Sequence, residues 1–125
     1  MDWAITPECL HRGPKFLYER YNLPFYISEN GMASCDLVSA DGCVHDSPRI
    51  EYIKSHLKEF ERAADEGTDC CGYFYWSLMD NFEWTNGYSA RFGLIYVDYS
   101  TQERIIKDSG HWYGRYIKDF EKQNM

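Results

Sequence analysis

The sequence predicts an α/β chain built on parallel strands, and a slice of a larger sheet rather than a closed one. Two short stretches, "PFYIS" (24–28) and "CCGYFYWSL" (70–78), carry apolar residues without alternation, the pattern of strands covered on both faces. An amphipathic helix lies between them, the right-handed crossover that parallel pairing requires. Two parallel strands leave two open edges, so the sheet is completed by something outside these residues.

Each element has a local reason. "ITPECL" is a helix start, with Thr6 as N-cap, Pro7 at the first helical position and Glu8 in the first turn. Gly13-Pro14 interrupts it, because an interior proline loses a hydrogen bond and clashes with the preceding turn. The expectation is a short helix, a kink, and a second stretch to about Tyr21. The first strand follows at 24–28. Residues 31–47 are a loop, with Gly31, Asp36, Asp41-Gly42, Asp46 and Ser47 supplying turn chemistry. The main helix opens with Ser47 capping and Pro48 next, and Gly67 stops it. Ile50, Ile53, Leu57, Phe60 and Ala64 form its apolar stripe at three- and four-residue steps. After the second strand, 80–99 reads as loop with short extended pieces near "RFGLIYVDY". A last amphipathic helix covers roughly 107–121, with Trp112, Tyr113, Tyr116, Ile117 and Phe120 on or near its buried side.

Composition bounds the function. The 125 residues have the length of one ordinary domain, and net charge −7 argues against nucleic acid or an anionic membrane as partner. No apolar run approaches a bilayer span, and "MDWAITPECL" lacks the basic and apolar regions of a signal peptide. Aromatic residues make up 18% of the chain, enough to line a sugar site as well as a core. Cys9, Cys35, Cys43, Cys70 and Cys71 have neither zinc-ligand spacing nor an obvious disulfide framework. They read as free thiols in a reducing compartment, so a cytoplasmic location with no metal and no cofactor is expected.

Ligands of parallel α/β folds sit at the carboxyl ends of the strands. Glu29 ends the first strand, Trp76 closes the second, and "DNFEW" leads on to Glu83 and Trp84. Carboxylates that grip vicinal hydroxyls, indole faces for C–H surface and a nucleophile for the anomeric carbon are what a sugar needs. The plain alternatives stand beside this. Glu29 could cap the turn at Asn30-Gly31, the tryptophans could be core, and Glu83 could be a solvated loop acid.

"YISENG" and "GYFYWSLMDNFEW" closely resemble the two signature stretches of glycoside hydrolase family 1, the β-glucosidase family. "MDWAITPECL", "DGCVHDSPRIEYIKSHL" and "GYSARFGLIYVDY" resemble the family's segments before the seventh barrel strand, between the seventh and eighth, and after the eighth. The resemblance implies that residues 1–125 are a partial glycosidase domain: the C-terminal portion, about strands 7–8 with flanking helices, of a (β/α)8 TIM barrel. It implies Glu29 as catalytic nucleophile, with Ser28 where the family often has threonine. It implies Trp76 under the sugar, Glu83 gripping the hydroxyls at positions 4 and 6, Trp84 bonding hydroxyl 3 and Phe92 beside hydroxyl 6.

The reaction so implied is retaining hydrolysis of terminal unphosphorylated β-glucosides. A second carboxylic acid would stand roughly 5–5.5 Å from the nucleophile, protonating the leaving group and then activating water. Glu83 would repel a 6-phosphate, although 6-phospho-β-glucosides and β-galactosides remain the family's other substrates. The family's acid/base glutamate belongs to an Asn-Glu-Pro segment on the fourth strand, and that tripeptide is absent here. Met1 stands where the family often has an internal methionine. The expected partner is therefore the missing N-terminal barrel portion, in cis or in trans. The competing reading is a catalytically inactive remnant acting as a sugar-binding or interaction protein.

Overall fold

The computed structural model describes residues 3–123; Met1 lies outside them. The elements run α1 (Cys9–Tyr21), β1 (Phe25–Asn30), α2 (Ser47–Asp65), β2 (Cys70–Tyr75), β3 (Ile95–Val97), β4 (Arg104–Ile106) and α3 (Asp108–Gln123), with a 3-10 turn at Trp84–Asn86. They group into two units. Of the described residues, the first holds 3–31 together with Glu51–Trp76, and the second holds Met32–Ile50 and 77–123.

In the first unit β1 and β2 pair in parallel, with Tyr26 opposite Gly72 and Ile27 opposite Tyr73. Gly72 lies against the Tyr26 ring, which a Cβ at that position would push aside. Ile53, Leu57 and Phe60 of α2 are buried, and the Phe60 ring lies 6.2 Å from Phe25 on β1 and 6.4 Å from Tyr73 on β2. Burying each such side chain is worth about 1.5–3 kcal/mol. The stripe differs from the sequence reading at one end, since Ala63 is buried and Ala64 exposed, and it also includes Tyr52 and His56. His56 escaped prediction because a polar ring breaks an apolar pattern. It stacks on Tyr52 at 3.9 Å and its Nδ1 meets the Tyr52 carbonyl. Gly67 (φ 92) stops α2 as expected, with the Thr68 N–H donating to the Ala63 carbonyl in a Schellman turn.

Three expectations need correction in this unit. Pro14 does not split α1, which runs unbroken with Pro14 buried inside it. Thr6 is not its cap: Glu8 holds the N-cap position without a side-chain bond, and the Thr6 backbone carbonyl accepts from Cys9 N–H instead. The strands are covered on one face only, for Tyr26 is 61% and Phe74 59% exposed, their rings 6.5 Å apart. A helix layer covers one side of a sheet, and this unit supplies no second layer for the other.

In the second unit β3 and β4 form an antiparallel hairpin, with Tyr96 opposite Ile105. The sequence reading missed β4 because three residues are too few to show alternation. The turn between them is held by the Asp98 carboxylate, which accepts from the Ser100 and Thr101 amides. Val44, Phe92, Leu94 and Val97 form the apolar core. On α3 the aromatic run Trp112, Tyr113 and Tyr116 is half-buried and mutually stacked, whereas Ile117 and Phe120, expected near the buried side, are exposed. Among the described residues no helix is long and apolar enough to cross a membrane.

Candidate active site

Glu29 sits one residue before the end of β1, exposed, where the strand breaks into Asn30-Gly31. The chain turns here under unusual constraint. The Trp76 N–H donates to the Asn30 carbonyl at 2.9 Å, and the Tyr73 hydroxyl donates to Asn30 Oδ1 at 2.8 Å. Gly31 approaches so closely that a Cβ on it would overlap the Trp76 carbonyl oxygen. These contacts lock the ends of β1 and β2 together and set Glu29 and Trp76 at neighbouring strand ends. The turn is thus held by Asn30, Tyr73 and the strand backbones, leaving the Glu29 carboxylate to face outward. Trp76 is 38% exposed. Behind the strands, burial pushes the Tyr52 hydroxyl up to about 12, so it stays protonated at any physiological pH.

Glu83, Trp84 and Phe92 belong to the second unit. Glu83 is half-buried, and its N–H donates to the Gly87 carbonyl at 2.7 Å, closing a loop around the 3-10 turn. Trp84 carries a φ of +40, a left-handed backbone that a bulky residue rarely adopts, while its side chain is 82% exposed. A strained backbone under an exposed indole is not explained by packing of that side chain. Phe92 is different. It is 4% exposed and belongs to the core of its unit, and its carbonyl accepts from the Arg49 guanidinium at 3.2 Å.

Beneath this loop lies a buried lattice of three carboxylates and three cations that the sequence reading did not find. Arg49 donates to Asp46 at 2.7 Å, to Asp36, and to the Met32 carbonyl at 2.7 Å. Lys107 donates to Asp80 at 2.8 Å and to Asp36. Arg91 donates to Asp80 at 2.6 Å and lies over the Tyr96 and Tyr99 rings, 4.0 and 4.7 Å from their centroids. Asp46 also accepts from the Ser109 hydroxyl at 2.5 Å and from its amide at 2.8 Å. Burial alone would raise the Asp36 carboxyl, yet Arg49 and Lys107 beside it win and hold it below the usual carboxylate range. Asp36 and Asp46 had the look of turn residues. The one available signal was Arg49, four residues before Ile53 and so on the buried stripe of α2.

The model of "Glycosyl hydrolase family 1" matches residues 1–122. Beta-glucosidase A of Thermotoga maritima is 54% identical over 120 residues, which cover 95% of this chain and 27% of that protein. A bifunctional beta-D-glucosidase/beta-D-fucosidase of Bifidobacterium breve is 52% identical over 124 residues, again 95% and 27%. Among solved structures, the beta-glucosidase from Thermotoga maritima in complex with glucoimidazole superposes with a TM-score of 0.91 at 55% identity, covering 93% of this chain and 27% of that one. The chain thus spans about a quarter of the length of the relatives it matches.

Proposed function

Because the chain belongs to glycosyl hydrolase family 1 and superposes on part of a family TIM barrel, we propose that it is the nucleophile-bearing part of a retaining β-glucosidase acting on terminal, unphosphorylated β-glucosides. The observation that carries this reading is the lock between Gly31 and Trp76, which presents an outward carboxylate at the end of a stiffened strand pair beside an exposed indole.

Glu29 Oε attacks the anomeric carbon as the bond to the aglycone oxygen breaks, and an acid outside these residues gives that oxygen its proton. The covalent glycosyl-enzyme is then opened by water, whose proton returns to the same acid. Trp76 offers its indole to the sugar's C–H surface. Glu83 grips the hydroxyls at positions 4 and 6, Trp84 donates to hydroxyl 3, and Phe92 lies beside position 6. A carboxylate at Glu83 disfavours a 6-phosphate by like-charge repulsion. Likeness to the bifunctional beta-D-glucosidase/beta-D-fucosidase of Bifidobacterium breve supports testing β-fucosides alongside glucosides.

The order of the two motifs supports placing the chain late in the barrel, at about the seventh and eighth staves, with the acid/base residue upstream in cis or in trans. Five free cysteines suit a reducing compartment, the cytoplasm. The decisive experiment traps the complete native polypeptide with a 2-deoxy-2-fluoro-β-glucoside bearing a good leaving group and maps the labelled peptide. Label on Glu29, in a polypeptide extended upstream of this sequence, is the expected result. Label elsewhere, or an extension only downstream, overturns the assignment.

A further inference from the structure

We propose that Lys107, acting through Asp80, is a positioning residue for the sugar-gripping loop that carries Glu83 and Trp84; the inference rests on the reading of that loop given above. Trp84 holds a left-handed backbone although its side chain, 82% exposed, has almost nothing to pack against. Something in the backbone must therefore maintain the strain. Within the loop, Asn86 N–H donates to the Glu83 carbonyl at 2.8 Å and Gly87 N–H to the Trp84 carbonyl at 3.1 Å. These bonds are local and move with the loop. The anchor to the body of the unit is Asp80, three residues before Glu83 and buried.

Each Asp80 oxygen is engaged. Oδ1 accepts from Lys107 Nζ at 2.8 Å and from the Gly93 amide at 2.9 Å, and Oδ2 accepts from Arg91 at 2.6 Å. The contact with Gly93 is close enough that a Cβ there would collide with the Asp80 amide nitrogen. Lys107, fully buried at the foot of α3, ties Asp80 to Asp36 on a different loop. On the far side the Tyr99 hydroxyl donates to the Asn81 carbonyl at 3.3 Å. The loop's stem is thus clamped from both sides before the strained residue begins.

A buried charge lattice is a poor way to gain stability, since desolvating the ions offsets most of their attraction, and a well-packed apolar replacement is often as stable. What such a lattice does supply is one geometry. Asp36, Asp46 and Asp80 against Arg49, Arg91 and Lys107 leave no net charge, and among the described residues no buried side-chain nitrogen or oxygen lacks a partner. Arg49 adds bonds to the Phe92 and Met32 backbone carbonyls, and Arg91 and Lys107 reach Asp80 at the stem of the loop.

The test compares wild type, Lys107→Met and Asp80→Asn in the complete native polypeptide, the second variant keeping shape where the first fails to fold. On a β-glucoside the expected result is a rise in KM of roughly tenfold or more with kcat changed by less than about threefold, because binding groups are displaced and the nucleophile is not. Amide hydrogen exchange supplies a readout independent of turnover: exchange over 80–87 should rise roughly tenfold while that over 51–65 stays as in wild type. A KM within about threefold of wild type, or exchange rising equally in both segments, overturns the proposal. If wild type hydrolyses no β-glucoside, the functional reading fails instead, and the exchange comparison alone decides the role of Lys107.

Discussion

Gly31 lies against the backbone carbonyl of Trp76 so closely that no side chain can stand at residue 31. One glycine therefore joins the strand end that carries the outward carboxylate to the strand end that carries an exposed indole. Gly31→Ala should cost about 1–3 kcal/mol, the usual penalty of overpacking, and should abolish hydrolysis by prising the strand ends apart. Urea unfolding of the complete polypeptide reads the first effect. A change within about 0.5 kcal/mol, the range of a neutral surface substitution, would sink the idea.

His45 stands between two carboxylates, with Nδ1 2.7 Å from Asp108 and Nε2 3.0 Å from Asp41. A neutral imidazole donates from one nitrogen only, so satisfying both carboxylates requires the cation. Asp108 first, and then Asp41, raise the His45 pKa above its ordinary value. A raised folded-state pKa means that the stabilisation is fully present below about pH 6.5 and is lost as pH rises through the folded value. Proton NMR titration of the His45 ring should show the raised pKa in wild type and a fall in Asp108→Asn. An ordinary pKa in wild type would contradict the clip.

Phe60 sits between Phe25 on β1 and Tyr73 on β2 and is the ring that seats α2 on the strand pair. Phe60→Ala should destabilise by about 3–5 kcal/mol, the combined loss of apolar transfer and the cavity left behind. The denaturant midpoint checks this. A loss under about 1 kcal/mol would mean that the strands are held mainly from elsewhere.

As an isolated polypeptide these 125 residues should show no turnover of an activated aryl β-glucoside. They contain no Asn-Glu-Pro acid/base segment, and general acid–base catalysis alone contributes about 10²–10⁴ in rate. Turnover by the wild-type chain that disappears in Glu29→Gln would refute this expectation.

Much of the frame was legible beforehand. The two non-alternating runs became β1 and β2, and the 47–65 periodicity became α2, because a period is a local property of the chain. Gly67 ended α2 for an equally local reason. Two readings failed. Pro14 was expected to break α1 on propensity, yet the helix continues through it. Tyr26 and Phe74 read as buried by their apolarity, but burial depends on whether a second layer is present.

The sequence by itself determined the family motifs, the strand–helix–strand order and which side chains could carry chemistry, since identity and spacing are written along the chain. Only the tertiary structure decided that Gly31 must abut Trp76, that Trp84 bears a left-handed backbone, and that Asp36, Asp80 and Lys107 meet in one buried lattice. Lys107 and Asp36 are 71 residues apart in sequence. Their attraction exists only once folding has excluded water between them, and no local pattern encodes that.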